Sequence, residues 1–172
     1  MSYKDEIGAP EKTTQARIKK YLVQVLGWEY LGDWTHRNMD AGESGNKNIE
    51  IPLLRKNLMQ RGYSENLAGR AIKALTDLAN NQSDSLYDLN RQIYERLRYG
   101  ISLAETQGQQ KQTVRFIDWD EIDNNHFAFA EEVSVRGSKK GYDKRPDIVY
   151  YVNGIALGVL ELKKSSVSIT EA

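Results

Sequence analysis

Hydrophobic positions change their period once along this chain. Up to about residue 99 they recur at helical spacing, and after Gly100 they come in short β-branched and aromatic runs. From Glu11 to Leu26, the residues Ile18, Leu22, Val25 and Leu26 share one helical stripe, with Pro10 at the start and Gly27 as the stop. Gly32 to Asn48 is polar and rich in turn residues, which predicts a loop. Three more helices are expected at about Pro52–Arg61, Ser64–Asn80 and Leu86–Tyr99, separated by Gly62-Tyr63 and by Asn81-Gln82-Ser83-Asp84. Leu67, Ala71, Leu75 and Leu78 make the stripe of the second of these, and Leu86, Leu89, Ile93 and Leu97 that of the third. Such stripes read as packed faces, although this helical excursion, about residues 49–100, could also dock a partner. Arg91, Arg96 and Arg98 add charge to it, and solubility alone would account for them.

Strands are expected at Ile101–Leu103, Val114–Ile117, Phe127–Ala130 and Val133–Val135, with Ala104–Gln112 as a loop. The sharpest local signal comes last. Asp147–Val152 and Ile155–Leu162 are two extended runs joined by Asn153-Gly154, the strongest short hairpin signal a sequence offers. The whole pattern predicts an α/β fold, a mixed sheet flanked by helices with a helical insertion, in a single domain over residues 1–172. A chain of 172 residues is long enough to bury a sizeable core.

The hairpin also carries the candidate chemistry. Side chains alternate along a strand, so Glu161 and Lys163 face one way and Leu162 the other, into the core. Asp147 and Glu161, with the backbone carbonyl of Leu162, form a hard oxygen set suited to Mg²⁺. Lys163 beside two carboxylates stays protonated, which suits it to electrostatic work on a phosphoryl group. One geometric conflict arises at once. A two-residue turn in unbroken register puts Asp147 opposite Leu160, so Asp147 and Glu161 would point to opposite faces. A longer loop, or a bulge near Gly158, is therefore expected. The bland alternative is a solvated strand face with cross-strand ion pairs.

The wording around these residues is more specific than the triad. Arg145-Pro146-Asp147-Ile148-Val149, then Val152-Asn153-Gly154-Ile155-Ala156-Leu157-Gly158-Val159-Leu160-Glu161-Leu162-Lys163-Lys164, resembles the PD-(D/E)xK nuclease motif. More narrowly, it is similar to the amino-terminal nuclease region of the restriction subunit of type I restriction-modification enzymes. That resemblance implies a restriction-endonuclease-like fold and Mg²⁺-dependent cleavage of double-stranded DNA with Asp147, Glu161 and Lys163, two of which, Asp147 and Glu161, hold the metal. It implies methyltransferase and specificity subunits as partners. It also implies an ATP-driven motor, absent here, so that the chain reads as a fragment of a longer polypeptide whose isolated activity is weak or missing. The family's downstream helix with a glutamine and a tyrosine is absent too. Glu11 matches the first-helix glutamate that supports the site in this family, while a helix N-terminus favours an acid in any case. The non-enzymatic alternative is a subunit-docking or DNA-gripping domain, and a third is a related nuclease acting on branched or single-stranded substrates.

Charge and composition add limits. Twenty-four basic and 24 acidic residues cancel, so any positive field for nucleic acid is local. The run Arg136–Arg145 supplies one, with Lys139, Lys140, Lys144 and Arg145 as candidate phosphate contacts beside Asp147; a solvated loop is its plain reading. Ala41–Lys47 has the wrong spacing for a phosphate-binding loop, and Asn48 replaces the hydroxyl residue such a loop needs. The acidic group Asp118, Asp120, Glu121 and Asp123 reads as solvated charge, and His36 and His126 as incidental. With no cysteine there is neither disulfide nor zinc-thiolate site. No run approaches a membrane helix and no leader is evident, so a cytoplasmic location is expected.

Overall fold

A computed structural model describes residues 11–37, 48–81, 83–106, 108–134 and 144–162. Its four helices are α1 (Glu11–Gln24), α2 (Ile51–Gln60), α3 (Glu65–Ala79) and α4 (Leu86–Tyr99). Its six strands are β1 (Glu29–Asp33), β2 (Ile101–Leu103), β3 (Gln112–Val114), β4 (Phe127–Glu131), β5 (Ile148–Val152) and β6 (Ile155–Leu160). The chain divides into two compact units, one of residues 1–37, 127–150 and 157–172, the other of residues 38–126 and 151–156.

The first unit is built on a four-stranded sheet in the order β1-β4-β5-β6. β1 runs parallel to β4, pairing Glu29 with Ala128 and Tyr30 with Phe129, and the register shifts before Asp33 meets Glu131. β5 runs antiparallel to β4, because its partners descend as it ascends: Glu132 N–H donates to the Asp147 carbonyl, and Asn153 N–H to that of His126. The sheet is thus mixed, as expected. α1 covers one face through Leu22, which packs with Phe129 and Ile148, and around them lie Ile18, Trp28, Tyr150 and Leu160. Trp28 stacks on Phe127 and meets Tyr150 edge-on, geometries that suit the aromatic quadrupole.

The second unit is mostly helical. Leu54 and Leu58 of α2 and Leu67, Ala68, Ala71, Ile72 and Leu75 of α3 form its core with Ile49, Val114, Phe116 and Ile155. Each large aliphatic side chain so buried contributes roughly 1.5–3 kcal/mol. α3 and α4 start at serines, Ser64 and Ser85, whose hydroxyls accept from Leu67 N–H and Asp88 N–H. These caps fix the helix starts close to the boundaries the sequence predicts. β2 and β3 pair as a small antiparallel ribbon.

Several expectations need correcting. β1 falls in a stretch the hydrophobic pattern passed over, and it ends inside the expected Gly32–Asn48 loop. α1 stops at Gln24, where Val25 and Leu26 donate back to the Tyr21 carbonyl; both side chains are exposed rather than on the buried stripe. Phe116 and Ile117 are buried without being strand. No strand forms at Val133-Ser134, because Glu132 takes a positive φ of 54° that ends the extended run. Val135 and residues 41–47 lie outside the described residues. Among the described residues, no helix is long and apolar enough to cross a membrane.

Candidate active site

The β5–β6 hairpin closes on two residues, Asn153 at φ 53° and Gly154 at φ 81°, the positive values a type I′ turn requires. A longer loop is therefore not the device that resolves the register conflict. Ile148, Tyr150 and Leu160 pack in one cluster beneath α1, so they share a face. Gly158 joins them, since a Cβ on it would lie 3.9 Å from Tyr150 Cβ and 3.3 Å from Tyr150 Cδ2. The turn pairs Val152 with Ile155, yet by Gly158 the partner is Tyr150 where unbroken pairing would give Val149. One extra residue therefore sits in β6 between Ile155 and Gly158, a bulge in effect. Asp147 precedes Ile148 by one position and Glu161 follows Leu160 by one. The two carboxylates thus lie at the open end of the hairpin, Asp147 in the bend just before β5 and Glu161 just past β6.

A backbone contact holds this pair together. The Leu162 N–H donates to Asp147 Oδ2, tying the end of β6 to the start of β5. The Leu162 side chain is buried, while Glu161 on one side of it is exposed, the alternation the sequence predicts. Lys163, the third member of the expected triad, lies outside the described residues, as do Lys139 and Lys140. Of the other basic candidates, Lys144 is exposed and Arg145 forms a 2.9 Å ion pair with Glu132. Glu11 is half-buried in the first turn of α1.

Sequence reading missed a second polar group in the same unit. Glu131 is only 6% exposed at the end of β4. Its Oε2 accepts from Lys19 Nζ of α1 at 2.5 Å and from the Tyr30 hydroxyl of β1. The Lys19 ammonium also lies over the Tyr30 ring, 4.5 Å from its centroid. Burial by itself would lower the lysine pKa, but the hydrogen bond and charge of Glu131 outweigh it and raise the value. Tyr30 is also raised, first by burial and then by Glu131. Glu131 thus anchors α1 and β1 to β4 one residue before Glu132, whose N–H meets the Asp147 carbonyl. Only the apolar run Phe127–Ala130 signalled a strand there, and nothing local marked the glutamate as buried.

Two carboxylates at the open end of one hairpin, with backbone carbonyls beside them, offer hard oxygen donors, and this chemistry fits a divalent cation such as Mg²⁺. Among the described residues, no three His, Cys, Asp or Glu side chains converge to hold a metal; the candidate set is the pair Asp147 and Glu161.

A mixed α/β fold with its acidic pair on the last hairpin is consistent with a restriction-endonuclease-like protein. The chain belongs to the family described as the type I restriction enzyme R protein N terminus, whose model matches residues 9–172. It is similar to the type I restriction enzyme HindI endonuclease subunit of Haemophilus influenzae, 32% identical over 148 residues that make up 82% of this chain and 14% of that relative. A Methanocaldococcus jannaschii protein named as a type I restriction enzyme MjaIXP endonuclease subunit is 31% identical over 104 residues, 58% of this chain and 10% of its own length. The chain therefore spans a small part of the relatives it matches. No solved structure matches it significantly.

Proposed function

We propose that this chain is the nuclease region of a type I restriction enzyme R subunit, hydrolysing phosphodiester bonds of double-stranded DNA with Asp147, Glu161 and Lys163. The observation that carries the reading is the contact from Leu162 N–H to Asp147 Oδ2, which ties the end of β6, one residue past Glu161, to the start of β5. Family membership and the endonuclease names of the relatives support it.

Asp147 and Glu161 would hold Mg²⁺, with the Leu162 carbonyl available as a further oxygen. When bound, such an ion polarises the phosphoryl group and lowers the pKa of a coordinated water. Asp147 is positioned for this by the Leu162 N–H on its Oδ2, which fixes one carboxylate oxygen. Lys163 is assigned from the sequence pattern, two positions beyond Glu161, and its ammonium would offset charge developing on the phosphoryl oxygens. Lys139, Lys140, Lys144 and Arg145 would bear on the DNA backbone, and Glu11 would support the site from α1. In the reading proposed, the subunit acts in the cytoplasm with methyltransferase and specificity subunits, and ATP serves a motor elsewhere in the polypeptide.

The test is isothermal titration of Mg²⁺ or Mn²⁺ into the chain, compared with the Asp147→Ala, Glu161→Ala double variant, together with cleavage by the full-length complex. Metal binding is expected in the parent and absent from the variant, and each of Asp147→Ala, Glu161→Ala and Lys163→Ala should abolish cutting while leaving the fold intact. Retained cutting by any two of them would overturn the assignment.

A further inference from the structure

α4 buries none of its residues, yet it carries large side chains on its outer surface. Tyr87, Arg91, Tyr94 and Arg98 follow at spacings of four, three and four, which places all four within one narrow stripe. Tyr87 is 75% exposed and Tyr94 61%. The inward face is a different one, where Leu89, Ile93 and Leu97 are half-buried and Leu97 packs on the core. The stripe runs about 16 Å along the helix, at ~1.5 Å per residue.

Its chemistry is one-sided. Two guanidinium groups and two phenol hydroxyls can all donate hydrogen bonds, and guanidinium has no acceptor at all. No aliphatic side chain and no acid interrupts the four. Arg98 stands over the Trp119 ring at 5.2 Å from its centroid, and Trp119 Nε1 donates to the Leu97 carbonyl, so the arginine is held in place by stacking. Arg91 contacts Asp88 at 3.3 Å, an exposed pair of the kind that holds weakly and that a phosphate can displace. The helix dipole favours cations in the last turn, which accounts for Arg96 and Arg98 there. It does not account for Arg91 or for the two exposed tyrosines.

We infer that the Tyr87-Arg91-Tyr94-Arg98 stripe of α4 is a DNA-backbone contact surface that grips the duplex by its phosphates and without regard to sequence. Charge complementarity selects the occupant: a chain of zero formal net charge here presents two cations and two neutral donors in a row. That the polyanion is DNA rests on the nuclease reading above, whereas the location of the surface does not. Phosphate contacts of this kind set position and affinity and carry no base information.

The test is fluorescence-anisotropy titration of the whole chain with a 30-base-pair duplex in chelator, over a range of salt concentrations. Working in chelator separates the grip from metal-dependent cleavage. Arg91→Gln with Arg98→Gln, which keeps helix propensity, should weaken binding and lower the slope of log K against log salt by about 1.8, at ~0.9 per phosphate contact. Arg91→Lys with Arg98→Lys should restore the slope. Tyr87→Phe with Tyr94→Phe should weaken binding and leave the slope unchanged, since a hydroxyl releases no counterion. Parent-like affinity and slope in the glutamine variant, with its circular dichroism unchanged, would overturn the inference and return the stripe to a protein partner. Absence of salt-dependent binding by the parent would overturn it equally.

Discussion

Asn153 is fully buried at a positive φ, and replacing it tests how the hairpin is held. Its Nδ2 donates to the Phe116 carbonyl and to Asn125 Oδ1, both at 2.8 Å, and its Oδ1 accepts from His126 N–H at 2.7 Å. In Asn153→Ala the Asn125 oxygen keeps its bond from Asp118 N–H, but the Phe116 carbonyl loses the bond from the Asn153 amide and His126 N–H the bond to the Asn153 oxygen. Each bond lost at this buried side chain costs about 1–3 kcal/mol. The left-handed backbone costs an alanine ~1–2 kcal/mol more than a glycine. The three contributions place the loss at about 3–8 kcal/mol, comparable with the roughly 5–15 kcal/mol typical of a domain. Urea denaturation should show it as a lower midpoint at unchanged m-value. Asn153→Gly keeps the backbone and loses the same bonds, so it should be more stable than the alanine variant by ~1–2 kcal/mol. A loss below about 1 kcal/mol for the alanine variant, against the cost per lost bond used here, would refute the reasoning. Equal stability of the two variants would refute the conformational part alone.

Leu162→Ala should cost about 2–5 kcal/mol, measured the same way, because its side chain is only 8% exposed; an unchanged midpoint would remove Leu162 from the core. The Lys19–Glu131–Tyr30 cluster predicts a pH dependence. Lys19 and Tyr30 both bind their protons more tightly in the folded chain than at their ordinary values of 10.5 and 10.0. Their contribution is therefore complete below about pH 10 and is lost as pH rises through the raised values. Thermal unfolding from neutral to strongly alkaline pH should fall more steeply for the parent than for Lys19→Met with Tyr30→Phe, and parallel profiles would contradict the linkage.

What the sequence made legible was local. α4 lies on its expected boundaries, α2 and α3 fall within a residue of theirs, and the Asn153-Gly154 turn forms where the dipeptide signals it, because caps, breakers and helical spacing act over a few residues. Glu131 was invisible for the opposite reason. Its partners lie 112 and 101 residues away in sequence, and a glutamate is otherwise a surface residue. β1 escaped because a short parallel strand with charged ends and a glycine has no alternation to read. The candidate site sits between these cases. The type I′ turn and the chemistry of Asp147 and Glu161 were separately readable and mutually inconsistent by one residue, and that inconsistency foretold an irregularity. Which of two devices would resolve it depended on packing. α1 buries Ile148, Tyr150 and Leu160 on one face, and only a register shifted by one residue satisfies that burial together with the tight turn. The hydrophobic demand of the α1 face thus sets the register of the two strands that lead to both carboxylates. A deletion of Leu157, returning β6 to unbroken register, should reverse either Leu160 and Leu162 or the acidic pair, at a cost to stability or to the site.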